Sequence, residues 1–274
     1  MLLFCIKVLT TPLLIAAVTL AERKYGPRAT GMLIGLPLTS GPVSLFLATE
    51  QGADFSSRAA IGTIGGIIAA GAFSVAYVYT AKYSSWWWSL IASMAAFSIV
   101  VLPLPIDSMS LPRLLIMAIA TLALSWTAID RISKQRNRAL TEVEPSSSGE
   151  SSLALRMIIA TVMVTLLTWS ASHLGPQLSG VLSSVPVISA VLAAFIHVRQ
   201  GSDAAINMVR GLVIGCFPAL AFYAMIASML KFEPVGITYT MATVATLSLS
   251  ALFAVLSDPR NQATVRDSIR QRFI

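Results

Sequence analysis

Nine apolar runs take up nearly the whole chain, near 2–22, 28–49, 58–80, 86–104, 112–129, 153–172, 176–197, 205–230 and 235–256. Each is close to the roughly 20 residues a helix needs to cross a bilayer. No stretch between them is long enough to build a soluble core. Charged residues make up 11% of the 274 and hydrophobic residues 56%, whereas a soluble domain carries about a quarter charged. The chain is therefore predicted to be an all-α integral membrane protein with nine transmembrane helices.

A formal net charge of +7 would point to nucleic acid in a soluble protein. In a membrane protein, Lys and Arg answer first to the positive-inside rule. With the N-terminus outside, the inner side gathers Arg23, Lys24, Arg28, Lys82, Arg131, Lys134, Arg136, Arg138, Arg156, Arg199, Arg210 and the tail arginines 260, 266, 270 and 272. The outer side keeps Lys7, Arg58, Arg113 and Lys231. This asymmetry predicts an outside N-terminus and a cytoplasmic C-terminus, with membrane lipids as neighbours and no nucleic-acid partner. The cluster at Arg23 and Lys24 follows the first apolar run instead of preceding it, an order that argues against a cleaved signal peptide. Residues 131–152 place basic RISKQRNR ahead of acidic, Ser-rich TEVEPSSSGESS and read as a cytoplasmic linker. The basic tail 258–274 is either simply retained inside or laid on the anionic inner leaflet.

A gapless shift of 149 positions lays GPRATGMLIGLPLTS on GPQLSGVLSSVPVIS. Gly26 falls on Gly175, Pro27 on Pro176, Pro37 on Pro186 and Ser40 on Ser189. The register continues through Gln51-Gly52 on Gln200-Gly201, Asp54 on Asp203, Gly62 on Gly211, Gly66 on Gly215 and Phe73 on Phe222. Apolar matches are cheap in membrane sequences; Gly, Pro, Gln and Asp matches in one register are not. Five spans precede the linker, so the second copy enters the membrane from the opposite side. The expected organisation is a first repeat over 1–130 with five spans and an inverted second repeat over 153–257 with four. Inverted-topology repeats are a recurring plan of secondary transporters, whose sites lie near the midplane.

Prolines 37 and 186 fall midway along the second and seventh spans. Each frees a backbone carbonyl that a bilayer tolerates only where hydroxyls, neighbours or a water-filled cavity satisfy it. Thr39 and Ser40 flank the first, and Ser183, Ser184 and Ser189 flank the second. These residues form a candidate substrate site, to which the matched cations Lys7 and Arg156 can add affinity for an anion. The competing readings are close helix packing through Gly31, Gly35, Gly62 and Gly66 and lipid-snorkelling stems for the two cations.

The matched Gln-Gly-x-Asp segments read as tight hairpins, with Gly52 and Gly201 in the left-handed conformation and Asp54 and Asp203 capping the following helices. The alternative is a gate or coupling site, built from Glu50, Gln51, Asp54 and Arg58 outside and from His197, Arg199, Gln200, Asp203 and Arg210 inside. His173 and His197 are too far apart along one helix to share a metal. Cys5 and Cys216 sit in apolar segments and read as core residues. Trp86, Trp87 and Trp88 open the fourth span, where an aromatic belt is expected. Neither a zinc-protease helix, a nucleophile elbow nor a phosphate loop occurs, so neither catalysis nor a cofactor is predicted.

The pattern Ser179-Gly180-x-x-Ser-Ser-x-Pro186, followed by Gln200-Gly201 and Arg210-Gly211, resembles the small four-span GlpM-like bacterial inner-membrane proteins. The resemblance covers residues 26–73 and 175–222. It implies a fused pair of short proteins able to associate antiparallel, a bacterial inner-membrane location and a link by name to alginate production. The fifth span departs from that pattern.

These features together lead to the expectation of a secondary transporter or lipid-linked flippase for a polar, anionic or amphiphilic substrate. The alternative is a non-transporting subunit that scaffolds an envelope or polysaccharide complex.

Overall fold

The computed structural model describes residues 2–38, 40–137, 158, 162, 181 and 185–257. Within these residues the protein is all-helical. The helices are α1 (Leu2–Gly35), α2 (Ser40–Glu50), α3 (Ala53–Thr80), α4 (Trp86–Val101), α5 (Leu111–Asn137), α6 (Val187–Gln200), α7 (Ser202–Met229) and α8 (Val235–Ser257). A single 3-10 turn, Ile106–Ser108, links α4 to α5. Five helical stretches, Ala16–Glu50, Ala53–Thr80, Leu111–Ser133, Ser202–Met229 and Val235–Phe253, are long and apolar enough to cross a membrane. The helices α4 and α6 are shorter, at 16 and 14 residues. The outer surfaces of α5 and α8 carry exposed Ile116, Ile119, Leu124, Val244, Leu247 and Leu252. So much uncovered apolar surface is what a lipid-facing shell presents.

The repeat seen in the sequence recurs in the backbone. Adding 149 to the bounds of α3, Ala53–Thr80, gives those of α7, Ser202–Met229, and both helices have 28 residues. The turn that leaves α3 is held by Tyr83 N–H to Thr80 O (3.0 Å) and Ser84 N–H to Thr80 O (2.9 Å). Its counterpart after α7 has Phe232 N–H to Met229 O and Glu233 N–H to Met229 O, both 2.9 Å. These two helices form the buried centre of the bundle. Ser57, near the start of α3, donates to the carbonyl of Ala227, near the end of α7, at 3.0 Å. The equivalent helices therefore run antiparallel.

Glycine sets how closely the first half approaches α7. A Cβ on Gly31 would strike the Met208 carbonyl, and one on Gly35 would lie 2.6 Å from Gly215 Cα. From the other side, a Cβ on Gly211 would strike the Arg28 carbonyl. Two Gly-x-x-x-Gly pairs, 31/35 and 211/215, thus cross backbone to backbone in parallel, the contact small residues permit in a bilayer. The packing expected of Gly31 and Gly35 is present, and its partner is the second-repeat counterpart of Gly62 and Gly66.

Several boundaries differ from the sequence expectation. The second span is a broken rod, not a kinked one. Gly26, at φ 80° and ψ 174°, separates 27–35 from the first span, and residues 36–38 separate it from α2. Pro27 then opens the next stretch, where its missing N–H costs nothing. Helix α5 runs on to Asn137, so the start of the expected linker is helical, as its Arg, Lys and Gln content favours. Most of the sixth span, most of the first half of the seventh and the tail lie outside the described residues.

The hairpin expectation also needs correcting. Gly52 (φ 93°, ψ 165°) and Gly201 (φ 86°, ψ 172°) share the conformation of Gly26, with an extended ψ that is not left-handed helical. Only glycine occupies that region readily. They are themselves the N-caps of α3 and α7. Asp54 and Asp203 fall instead in the first turn, where a carboxylate complements the positive end of the helix dipole.

Candidate functional site

The two proline breaks have the same construction. At the first, Leu38 N–H donates to Leu36 O (2.7 Å) across Pro37, and Gly41 N–H donates to Pro37 O (2.8 Å). At the second, Val187 N–H donates to Val185 O (2.7 Å) across Pro186, and Ala190 N–H donates to Pro186 O (2.8 Å). Each proline is the centre of an inverse γ-turn, with Pro186 at φ −78° and ψ 55°. Proline lacks the N–H that would continue the upstream helix, while its own carbonyl starts the next one. At 1.5 Å per residue, about 13 Å of helix precedes the first break and about 16 Å follows it. The Pro37 break therefore falls halfway along its rod.

The surroundings of the two breaks differ. Facing the first, Phe222 lies 3.4 Å from where a Gly41 Cβ would stand. The neighbouring Tyr223 is buried, with its hydroxyl turned towards Ser40 but closing no hydrogen bond among the described residues. One turn further on, the Tyr239 hydroxyl meets Ser44 Oγ at 2.7 Å and Ser56 Oγ at 2.9 Å, and Ser56 Oγ donates to the Ser44 carbonyl at 3.1 Å. Phe222 packs edge-on against both tyrosines. Beside the second break, Phe73, Ala190 and Val181 share an apolar cluster. The positions equivalent to Tyr223, Tyr239 and Ser44 are Ser74, Leu90 and Ala193. Ser74 returns its hydroxyl to Ala70 O of its own helix at 2.8 Å. Among the described residues, tyrosine and serine hydroxyls gather at the first break, while Phe73, Val181 and Ala190 stand beside the second together with the buried Ser189.

Of the expected substrate residues, the structure brings Pro37 and Ser40 to the first break. Pro186 and Ser189 are both buried at the second. Thr39, Ser183, Ser184 and Arg156 lie outside the described residues, as does the side chain of Lys7.

The expected gate residues divide between the two ends of the bundle. At the end shared by Ser57 and Ala227, Arg58 pairs with Asp54 one turn away on its own helix at 2.8 Å, both exposed. Glu50 and Gln51 are exposed. At the opposite end Arg210 is paired with Asp130 of α5, and its guanidinium stacks over Trp126, 4.8 Å from the ring centroid. Arg28 lies within the field of both charges. Gln200 donates to Glu22 at 2.6 Å. The Tyr77 hydroxyl donates to Ala193 O at 3.1 Å and stands 3.2 Å from His197 Nδ1. Arg199 and Asp203 lie near this end, on α6 and α7.

Sequence reasoning missed Tyr223, Tyr239, Glu22, Asp130 and Trp126. Glu22 and Asp130 did leave a trace, as acidic residues that close apolar runs next to basic clusters. No family model, curated protein or solved structure matches the chain.

Proposed function

We propose that the protein is a secondary transporter or lipid flippase built from two inverted repeats, with five spans in the first and four in the second. Its substrate site lies at the Pro37 break. One observation carries the reading: a helix broken halfway along its length is faced by the buried Tyr223 hydroxyl, which has no partner among the described residues. A buried hydroxyl without a partner costs about 1–3 kcal/mol, a cost a bound polar group would remove. Gly/Pro interruptions in corresponding positions of two inverted halves are the best sequence pointer to a transport site, which supports this reading. On this reading Ser40 and Tyr223 bind, and the Tyr239–Ser44–Ser56 group holds α2, α3 and α8 in place around them. The setting is a cell membrane, and the bacterial inner membrane is the proposed one.

Reconstitution into liposomes tests this. Wild-type protein is expected to move a solute, or a fluorescent lipid scored by dithionite quenching, and Y223F is expected to lower the rate about tenfold, as loss of a direct hydrogen bond predicts. If nothing moves while another membrane protein co-purifies in fixed ratio, the scaffold function replaces transport.

A further inference from the structure

We infer that Arg28 and Arg210 form a binding site for a phosphate group at the Asp130 end of the bundle. The two guanidiniums come from different halves of the chain. They are brought together because Gly211, next to Arg210, lets the backbone of Arg28 into contact with α7. Asp130 is the carboxylate paired with Arg210, and the field at Arg28 combines repulsion from Arg210 with attraction to Asp130. The charges acting on Arg28 are thus one guanidinium and one carboxylate, in a largely buried place where the Arg210 and Asp130 side chains are only 22% and 20% exposed. In addition, Nε of Arg28 and Nε of Arg210 are both buried without a hydrogen-bond partner among the described residues. Such a group is costly unless an acceptor reaches it.

A phosphate group fits what is missing. It supplies enough oxygens to accept from two forks at once, and the planar guanidinium is matched to it. Trp126 holds the Arg210 plane by stacking, so the fork is oriented before the anion arrives. The cluster lies on the side that the Lys and Arg distribution assigns to the cytoplasm, where anionic lipids are concentrated. A lipid headgroup and a soluble phosphate share this chemistry. Calling the ligand a substrate rests on the transport reading; the site does not.

The test uses the purified full chain in a neutral detergent. Trp fluorescence is titrated with inorganic phosphate, with dihexanoyl phosphatidic acid and with dihexanoyl phosphatidylcholine. Saturable binding is expected for phosphatidic acid, for inorganic phosphate or for both. Phosphatidic acid alone assigns the site to a headgroup; inorganic phosphate as well shows that the phosphate group suffices. R28Q is expected to weaken that binding at least about tenfold, as loss of charge-assisted hydrogen bonds predicts. K231Q removes an equal charge at the other end and is expected to leave it unchanged. Should R28Q not remain monodisperse, R28K keeps the charge but loses the fork and is expected to bind several-fold more weakly. The proposal is overturned if no probe saturates, if R28Q binds like K231Q, if R28K matches wild type for every probe, or if phosphatidylcholine binds as well as phosphatidic acid. Because binding is read without transport, a protein that binds phosphate and moves nothing keeps this site and loses the transport function.

Discussion

Ser57 on α3 donates its hydroxyl to the carbonyl of Ala227 on α7, 3.0 Å away, in a wholly buried contact. The bond ties the start of one repeat-equivalent helix to the end of the other. S57A removes a donor without adding bulk, and the expected cost is about 1 kcal/mol. Reversible unfolding in detergent micelles measures it; a change of more than about 3 kcal/mol would mean that Ser57 does more than bridge two helices.

The glycine crossing admits no added methyl. G31A and G211A each drive a Cβ into a carbonyl oxygen of the facing helix, and backbone cannot move aside as a flexible side chain can. Each is expected to cost about 3 kcal/mol or more, the upper range for overpacking, and to lower the thermal midpoint or the folded yield on gel filtration. A Cβ on Gly236 would meet open space, so G236A serves as the neutral control.

The interhelical glycines give a different kind of penalty. Nothing lies within 4 Å of a Cβ on Gly52 or Gly201, yet their φ of 93° and 86° is closed to other residues. G52A and G201A are expected to cost about 1–3 kcal/mol each through backbone strain alone. Since the two sites are separate, the double variant should show the sum within about 0.5 kcal/mol; chemical denaturation of the three variants decides it.

Replacing Tyr239 by Phe leaves ring packing with Phe222 in place and removes the hydroxyl shared by Ser44 and Ser56. The two serines keep their own contact at 3.4 Å, so the expected loss is about 1–2 kcal/mol. If the proposed transport holds, Y239F should retain the fold and lose transport only in part, whereas Y223F should lower it about tenfold while stability holds or rises, since a buried hydroxyl without a partner among the described residues is removed. Side-by-side melting curves and liposome rates separate a residue that holds the site from one that binds in it.

Among the described residues, most helix positions, the register that relates α3 to α7 and the two proline breaks were legible because each rests on local chemistry: proline without an N–H, glycine at positive φ, and apolar length. The tertiary partners were not. The inside gate grouped Arg210 with Asp203, two turns along its own helix, whereas the carboxylate paired with Arg210 is Asp130. Which carboxylate it meets depends on α5 packing against α7, and no local pattern encodes that choice. Similarly, Tyr223 and Tyr239 occupy positions matched by Ser74 and Leu90. A comparison of the copies that looks for agreement passes over the places where they differ. Capping failed for a simpler reason. An aspartate two residues after a glycine looks like a cap, but the glycine itself took that position.

The difference between the two breaks has a further consequence. Two separate copies of a short chain, paired antiparallel, would be obliged to carry the same residues at both breaks, and whatever they handled would meet identical surroundings from either face. Joining the copies end to end removes that obligation. With Tyr223 and Tyr239 facing the Pro37 side where Ser74 and Leu90 hold the matching positions, the molecule acquires a front and a back among its described residues.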